Sequence, residues 1–331
     1  MTDVVPPEAV DTYLQLALAG EQRRATRYVV DLLHDATPPT ALITDLLAPA
    51  QREIGERWHR GDLSTADEHL VTSITSSSLA AMGAGSSCPE PRGLVLVVCA
   101  EDDWHSLASL MFAELLRHAG RRVLHLGPSA PSADVSVFIA RHRPEAVAVT
   151  CNLCLAYLGT SRVADAAHAH GVPVLAGGRA LDLQRALRLG ADGWAQDSTS
   201  AVRVLDQWRA RTPVVDPRPV QHDPAALALG RSAADLGGRA FEELGQLRSS
   251  VLGRDRHWLS TLRSDLADTV RCLAAARLVD DPEVCVEYRE WLRQLYAARG
   301  VPEQVLEVGS RALRPLVAEV DVAAADLLVS R

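Results

Sequence analysis

Aromatic side chains are scarce in this sequence: they make up 4% of 331 residues, although six of them are Trp. The composition is otherwise ordinary, with 47% hydrophobic and 23% charged residues, and it predicts a soluble protein of two or three domains with real cores. The formal net charge is -8, which argues against a nucleic-acid surface spread over the whole molecule. We therefore expect no direct binding of nucleic acid.

Long apolar runs and paired cysteine motifs are missing too. No apolar run reaches membrane-spanning length, and residues 1–10 lack the basic region and apolar core of a signal peptide. The six cysteines are scattered, and Cys151 with Cys154 forms a single C-x-x-C without a second pair. Packed thiols are therefore favoured over a zinc or redox site. The sequence predicts a cytoplasmic protein without membrane contact.

Residues 1–83 are predicted to form a four-helix bundle, because their apolar positions recur at helical spacing. A third helix is expected from about Thr40 to Gly61, since glycine commonly follows the last helical residue. Ser64 and Asp67 have the spacing of a capping box and begin the fourth helix. A short linker that contains proline and glycine follows.

Residues 92–211 alternate apolar runs with amphipathic stretches, which is typical of a parallel sheet wrapped by helices. We predict a Rossmann-like, flavodoxin-like α/β domain. Its expected strands are 93–99, 122–126, 145–151, 172–176 and a weak 192–196, and its expected helices are 106–119, 132–142, 159–170, 180–189 and 198–210.

A second linker, residues 212–224, contains four prolines and separates the α/β domain from residues 225–331. The pattern of this last block is purely helical, with prolines at expected helix starts. Its predicted helices are 226–252, 256–278, 282–299 and 302–329. An all-α domain is therefore expected after the α/β domain.

The most informative segment is the loop after the first predicted strand, which carries Asp103, Trp104 and His105. Ligands bind at the carboxyl ends of the strands in open α/β sheets. An imidazole held by a nearby carboxylate is a typical metal-ligand arrangement. The loop therefore predicts a ligand or metal site, although a helix-capping Asp beside a surface His would give the same short motif.

Four elements of residues 92–211 together resemble the cobalamin-binding domain shared by methionine synthase, corrinoid carrier proteins and cobalamin-dependent photoreceptors. They are Asp103-x-His105-x-x-Ala108, Leu126-Gly127-Pro128 with Pro131, Thr150, and Gly177-Gly178. Ala108 and Thr150 replace the Gly and Ser that are usual in that family.

The resemblance implies that His105 is the lower ligand of cobalt and that Asp103 fixes its tautomer. It also implies that Gly177 and Gly178 let the backbone approach the nucleotide tail of the cofactor. The remaining cofactor contacts expected in this domain are Trp104, Ala108, Thr150 and Asn152.

Trp58 is followed ten and eleven residues later by Glu68 and His69. This pattern resembles the helical cap of light-sensing adenosylcobalamin repressors. The resemblance implies that Trp58 and Glu68 enclose the adenosyl group and that His69 binds cobalt after light removes it. Thr65, a further expected contact, stands where an apolar residue is more usual. A core Trp and a solvated Glu-His pair is the alternative interpretation.

Residues 225–331 resemble the globin-related, phycobiliprotein-like domain of photocobilins, which place a linear tetrapyrrole (bilin) such as biliverdin beside the cobalamin module. Each candidate contact taken singly also fits ordinary packing or a solvated surface. Cys272 and Cys285 could in principle attach a bilin covalently, but both lie on apolar helix faces, which argues against this role. Candidate bilin contacts are Arg254, Arg256, His257, Trp258, Asp265, Tyr288 and Trp291.

These resemblances together predict a photoreceptor, not an enzyme, that binds adenosylcobalamin and a bilin. Its signal would pass to a homo-oligomer, with a dimer favoured, or to a signalling protein partner. Two alternatives remain open from the sequence. One is a corrinoid protein that carries methyl groups for a methyltransferase, and the other is a cobalamin sensor that does not respond to light.

Overall fold

The computed structural model describes residues 5–83, 92–246 and 259–328. An N-terminal helical unit is built from α1 (Ala9–Leu18), α2 (Gln22–His34), α3 (Pro39–Ala41), a π-helical turn (Leu42–Leu47), α4 (Ala48–His59) and α5 (Thr65–Gly83). The apolar faces of these helices share one core, to which Met111 and Leu115 of the central unit contribute. That this unit caps a cofactor remains a prediction.

The predicted third helix is continuous from α3 through the π-helical turn to α4. Pro49 explains the wider turn, because proline lacks an N–H and its ring crowds the carbonyl group four residues earlier. The Ala48 N–H instead donates to the carbonyl of Ile43, five residues earlier. All four Leu and Ile side chains of this turn are buried, so the wider turn also serves the core.

The expected start of the fourth helix is confirmed. The Asp67 N–H donates to Ser64 Oγ at 3.2 Å, and the Ser64 N–H donates to Asp67 Oδ2 at 2.9 Å. Gly61 has a φ of +81° and ends the preceding helix, a conformation that glycine adopts without strain. The sequence therefore places the turn between α4 and α5 correctly.

The central unit contains a five-stranded parallel sheet. Its strands are β1 (Arg92–Cys99), β2 (Arg121–His125), β3 (Ala146–Thr150), β4 (Val174–Gly177) and β5 (Gly193–Trp194). Their order in the sheet is β2-β1-β3-β4-β5, which confirms the predicted flavodoxin-like topology. The order reverses between β1 and β3, and ligands bind at such a switch point. The helices are α6 (Ser106–His118), α7 (Ser132–His142), α8 (Tyr157–His168), α9 (Leu183–Arg188) and α10 (Ser198–Ala210).

The C-terminal unit is helical, as expected, but its last helix is not continuous. The predicted helix 302–329 is two helices, because the Asp321 carboxylate accepts the Ala324 N–H and starts a new one. The globin-like character of this unit remains a prediction. Its helices are α11 (Pro224–Glu243), α12 (Leu259–Val279), α13 (Glu283–Ala298), α14 (Gln304–Ala318) and α15 (Val322–Leu327).

The central and C-terminal units share one continuous core, in which Val149 of β3 and Val270 of α12 both lie. Arg185 of α9 reinforces this contact, because its guanidinium donates to Asp281 at 2.9 Å and to both carboxylate oxygens of Glu287 at 2.9 Å. The proline-bearing linker therefore joins two units that pack directly against each other.

None of the helices within the described ranges combines the length and apolar character that crossing a lipid bilayer requires.

Candidate functional site

Asp103 is the centre of the loop that follows β1. Its side chain is fully buried, and each of its two oxygens accepts two hydrogen bonds. Oδ1 accepts from the backbone N–H and the Nδ1 of His105, both at 2.9 Å. Oδ2 accepts from the backbone N–H and the side-chain amide of Asn152, at 2.7 and 3.2 Å. Burial favours a higher pKa for Asp103, but these hydrogen bonds outweigh it and lower the pKa, so the group is a carboxylate at neutral pH.

His105 is held in one tautomer by this carboxylate. Because an ionised carboxylate only accepts hydrogen bonds, Nδ1 carries the proton and Nε2 keeps its lone pair. The hydrogen bond to Asp103 raises the pKa of His105, and burial opposes this effect. The side chain is 60% exposed, so Nε2 is available to a ligand. A basic imidazole with a fixed tautomer is suited to bind a metal ion.

The switch point of the sheet brings these side chains together. Asp103 follows β1 and Asn152 follows β3, and these strands are neighbours in the sheet. The side-chain amide of Asn152 also donates to the His105 carbonyl at 3.2 Å. Two adjacent strand ends thus hold the imidazole rigidly. Trp104, beside it, is 74% exposed.

The ends of β3 and β4 form a cradle of small residues. Thr150 Oγ1 is buried and has no hydrogen-bond partner of ordinary geometry within the described ranges. Gly178 has a φ of +111°, and a Cβ there would lie 2.2 Å from the Cys151 carbonyl oxygen. A Cβ on Gly177 would meet only the Ala195 carbonyl oxygen, at 3.4 Å. The hydroxyl and the bare backbone give this edge of the sheet a polar surface that a ligand can approach closely.

A second carboxylate–imidazole pair lies on α5. His69 Nδ1 donates to Glu68 Oε2 at 2.5 Å, which leaves Nε2 of His69 with its lone pair. Glu68 Oε1 accepts from the Thr72 hydroxyl at 2.8 Å. The charge of Glu68 contributes to the raised pKa of His105, so the two units present these residues to the same region. His69 is 74% exposed.

Trp58 lies where the N-terminal and C-terminal units meet. Its indole N–H donates to Thr65 Oγ1 at 3.2 Å. This hydrogen bond gives a polar role to Thr65, which stands where the resembling repressors more usually have an apolar residue. Its ring lies 6.4 Å from that of Trp291, and the Arg299 guanidinium lies 4.9 Å from its centroid. His59 stacks on Trp291 at 5.5 Å. The N-terminal and C-terminal units therefore both contribute aromatic rings to the contact between them.

The C-terminal unit contains a partly open apolar cavity whose free interior volume is about 50 Å³. Of the residues predicted to bind a bilin, Asp265 and Tyr288 line this cavity, whereas Trp291 lies outside its lining, next to Tyr288 at 5.9 Å. Burial raises the pKa of Asp265, which accepts a hydrogen bond from the Tyr296 hydroxyl at 2.7 Å. Arg254, Arg256, His257 and Trp258 lie outside the described residues.

Two residues of the site escaped the sequence analysis. Ser129 follows β2, and its hydroxyl accepts from the Asp102 N–H while its own N–H donates to the Asp103 carbonyl, both at 3.0 Å. Arg179 follows β4, and its charge is a minor influence that opposes the rise in the pKa of His105. Each lies three residues after the end of a predicted strand, so the position of strand ends was the signal that pointed to them.

The sequence of this chain matches known cobalamin proteins over two segments. Residues 93–203 match a family model described as the B12 binding domain, and residues 9–82 match a second model of the same description. The HTH-type transcriptional repressor CarH of Myxococcus xanthus is 32% identical over 143 residues, which are 42% of this chain and 48% of the repressor. The chain thus spans about half the length of this curated relative.

Among solved structures, the Methanosarcina barkeri monomethylamine corrinoid protein is similar with a TM-score of 0.54 and 17% identity, over 61% of this chain and 99% of that protein. A cobalamin-binding protein from Desulfitobacterium hafniense has a TM-score of 0.34 and 20% identity, over 60% and 98% of the two chains. The first of these similarities supports the Rossmann-like fold. Residues 9–82 and 93–203 thus each match a B12 binding domain by sequence, and these matches support a cobalamin cofactor.

Proposed function

We propose that this chain is a photoreceptor that binds adenosylcobalamin between the N-terminal helical unit and the sheet, with His105 as the lower ligand of cobalt. The main support is the pair of matching arrangements, Asp103 with His105 and Glu68 with His69. In each, a carboxylate holds Nδ1 and leaves Nε2 free to bind a metal. The charge of Glu68 reaches His105, which is consistent with one cavity between the two pairs.

When bound, adenosylcobalamin supplies a cobalt–carbon bond that visible light breaks. Trp58 and Glu68 are proposed to enclose the adenosyl group, and His69 to take the upper side of the metal after that group has left. Glu68 already orients the His69 ring, so little rotamer entropy remains to be lost when the ring binds. The repressor that is 32% identical over 143 residues supports a light-sensing regulator over a carrier of methyl groups.

The signal is proposed to pass through the contact between α4 and α13. Arg299 Nη2 donates to the Trp58 carbonyl at 3.3 Å, and His59 Nε2 lies 3.0 Å from the Trp291 carbonyl oxygen. A shift of the N-terminal unit on loss of the adenosyl group changes these contacts. The C-terminal unit then communicates the change to a second copy of the chain or to a signalling protein partner.

Substituting His69 with alanine tests the light reaction. We expect the His69→Ala variant to bind adenosylcobalamin in the dark with unchanged affinity, because the lower ligand is intact. After green light its absorption spectrum should lack the product with two imidazole ligands that the unaltered chain forms. His34→Ala, on the exposed end of α2, is the matched control.

Identical spectra of illuminated His69→Ala and unaltered protein would remove His69 from the mechanism. If the unaltered chain itself gives no stable product with two imidazole ligands after illumination, the protein is a corrinoid carrier or a sensor that does not respond to light.

A bilin is proposed as a second chromophore in the C-terminal unit, where it would extend the light response toward red wavelengths, and the small cavity there would have to widen to admit it. The partly buried Asp265 is an acceptor for pyrrole N–H groups, and Tyr288 provides an aromatic wall. The proposal rests on the lining and on the resemblance of residues 225–331 to photocobilins.

Mixing the purified chain with biliverdin tests this second proposal, and binding is expected to give a long-wavelength absorption band. Asp265→Asn keeps the size of the side chain but removes the charged acceptor, and we expect it to weaken bilin binding by about 10-fold. Asp235→Asn, on the exposed face of α11, is the control and should leave binding unchanged. Equal affinity of the two variants would exclude Asp265 as a bilin contact.

A further inference from the structure

Three cysteine thiols meet at the boundary between the central and C-terminal units, and two of them, Cys272 and Cys285, also lie in the wall of the apolar cavity. Cys154 Sγ lies 3.9 Å from Cys272 Sγ, and Cys272 Sγ lies 3.9 Å from Cys285 Sγ. Cys154 begins the short helical turn after β3, Cys272 lies within α12, and Cys285 lies in α13. The structure therefore brings together residues that are 118 positions apart in the sequence.

The three thiols differ in access. Cys272 is 1% exposed and Cys285 is 7% exposed, whereas Cys154 is partly exposed to solvent. Burial raises the pKa of Cys272 well above its usual range, so this sulfur is protonated at neutral pH. An oxidant from solvent thus meets Cys154 first, and Cys272 is the nearest sulfur behind it.

We propose that Cys154 and Cys272 form a redox modification site, in which a hydroperoxide converts the two thiols into a disulfide between the central and C-terminal units. The peroxide first oxidises the Cys154 thiol to a sulfenic acid, and one water is released. The Cys272 sulfur then attacks the Cys154 sulfur, and the sulfenic hydroxyl leaves with the Cys272 proton as a second water. Two thiols supply the two electrons that reduce one O–O bond.

The disulfide would join the loop after β3 to α12. Asn152, two residues before Cys154, donates both to Asp103 and to the His105 carbonyl. The oxidised chain therefore restrains the loop that positions His105. The modification itself needs no cofactor, so its test is independent of whether the chain binds cobalamin or senses light.

Tryptic peptide mapping of the full chain separates the possible disulfides. The sequence contains no Lys, and cleavage after Arg places Cys154 in peptide 142–162, Cys272 in 272–277 and Cys285 in 278–289. The reduced protein is treated with hydrogen peroxide, the remaining thiols are alkylated, and peptides are analysed without reduction. We expect a linked pair of 142–162 with 272–277, formed through Cys154.

Three variants sharpen the experiment. Cys154→Ser should abolish the linked pair, and Cys285→Ala should retain it. Cys272→Ala should accumulate a sulfenic acid on Cys154 that dimedone traps. The disulfide should also raise the melting temperature by about 4 °C or more, because it closes a long loop in the unfolded chain, and dithiothreitol should reverse this change.

Two results would overturn the proposal. One is a link of 272–277 with 278–289 in the unaltered chain, which would make the disulfide internal to the C-terminal unit. The other is complete alkylation of Cys272 after peroxide treatment, whatever the state of Cys154.

Discussion

Substituting His105 with alanine is expected to weaken cobalamin binding by at least about 10-fold to 100-fold, because losing even the hydrogen-bond partner of a metal ligand typically costs that much. The visible spectrum of any bound cofactor should also change, because nitrogen no longer binds the lower side of cobalt. The physical reason is that Asp103 holds Nδ1 at 2.9 Å and so directs the Nε2 lone pair outward. No other imidazole in the described part of the chain has this arrangement beside the switch point.

The His105→Ala variant should fold normally, which makes the test informative. Asp103 would lose the hydrogen bond from the imidazole but keep those from the residue 105 N–H and from Asn152. Its carboxylate would therefore not be left unpaired in the interior. His170→Ala is a suitable control, since this exposed side chain contacts Ser136 away from the site.

Equilibrium titration with adenosylcobalamin in the dark, followed by absorbance, measures both quantities. An unchanged dissociation constant together with an unchanged spectrum would mean that the cofactor is not held through His105. The proposed position between sheet and helical unit would then be wrong, whatever the light response.

Gly177→Ala and Gly178→Ala are expected to differ in stability, although both should bind cobalamin less tightly. The Gly178→Ala variant should lose about 2 kcal/mol or more of its free energy of unfolding, because φ is +111° and the new Cβ would lie 2.2 Å from the Cys151 carbonyl oxygen. Gly177→Ala should leave stability nearly unchanged, because its Cβ meets only one atom, at 3.4 Å.

Binding of cobalamin should nevertheless be weakened in both variants. In Gly177→Ala the added methyl group occupies the slot proposed for the nucleotide tail, and we expect affinity for cobalamin to fall by about 10-fold, a loss of about 1.4 kcal/mol. Thermal denaturation without cofactor and a cobalamin titration separate the two effects. A stable Gly177→Ala variant that binds cobalamin as tightly as the unaltered chain would place the nucleotide tail elsewhere.

Much of the architecture was predictable from local patterns. The alternation of apolar runs and amphipathic stretches predicts the five parallel strands within about two residues at most ends, because each strand and helix of such a sheet has its own periodicity. Ser64 and Asp67 form the predicted capping box because both partners lie in one turn of the chain. The prediction of a single last helix over residues 302–329 was wrong. The apolar periodicity continues on both sides of Asp321, but the side chain of Asp321 caps a new helix there.

The candidate site also has a part that the sequence predicts and a part that it does not. Asp103 and His105 are two residues apart, and their pairing is a property of one loop. The sequence also places Thr150 near the end of the third predicted strand and Gly177 directly after the fourth. It does not indicate that Glu68 would orient His69, or that the cavity near Tyr288 would have Cys272 and Cys285 in its wall.

The sequence by itself determined the order of the three units, the parallel sheet and the loop that presents His105, because the periodicity of short segments and their order along the chain indicate each of them. Only the tertiary structure decided that Trp58 and His59 contact Trp291, more than 200 residues away, and that Cys154 faces Cys272. Such contacts depend on how the completed units pack against one another. That packing is set by the shapes of whole apolar faces, and no short segment of the chain specifies it.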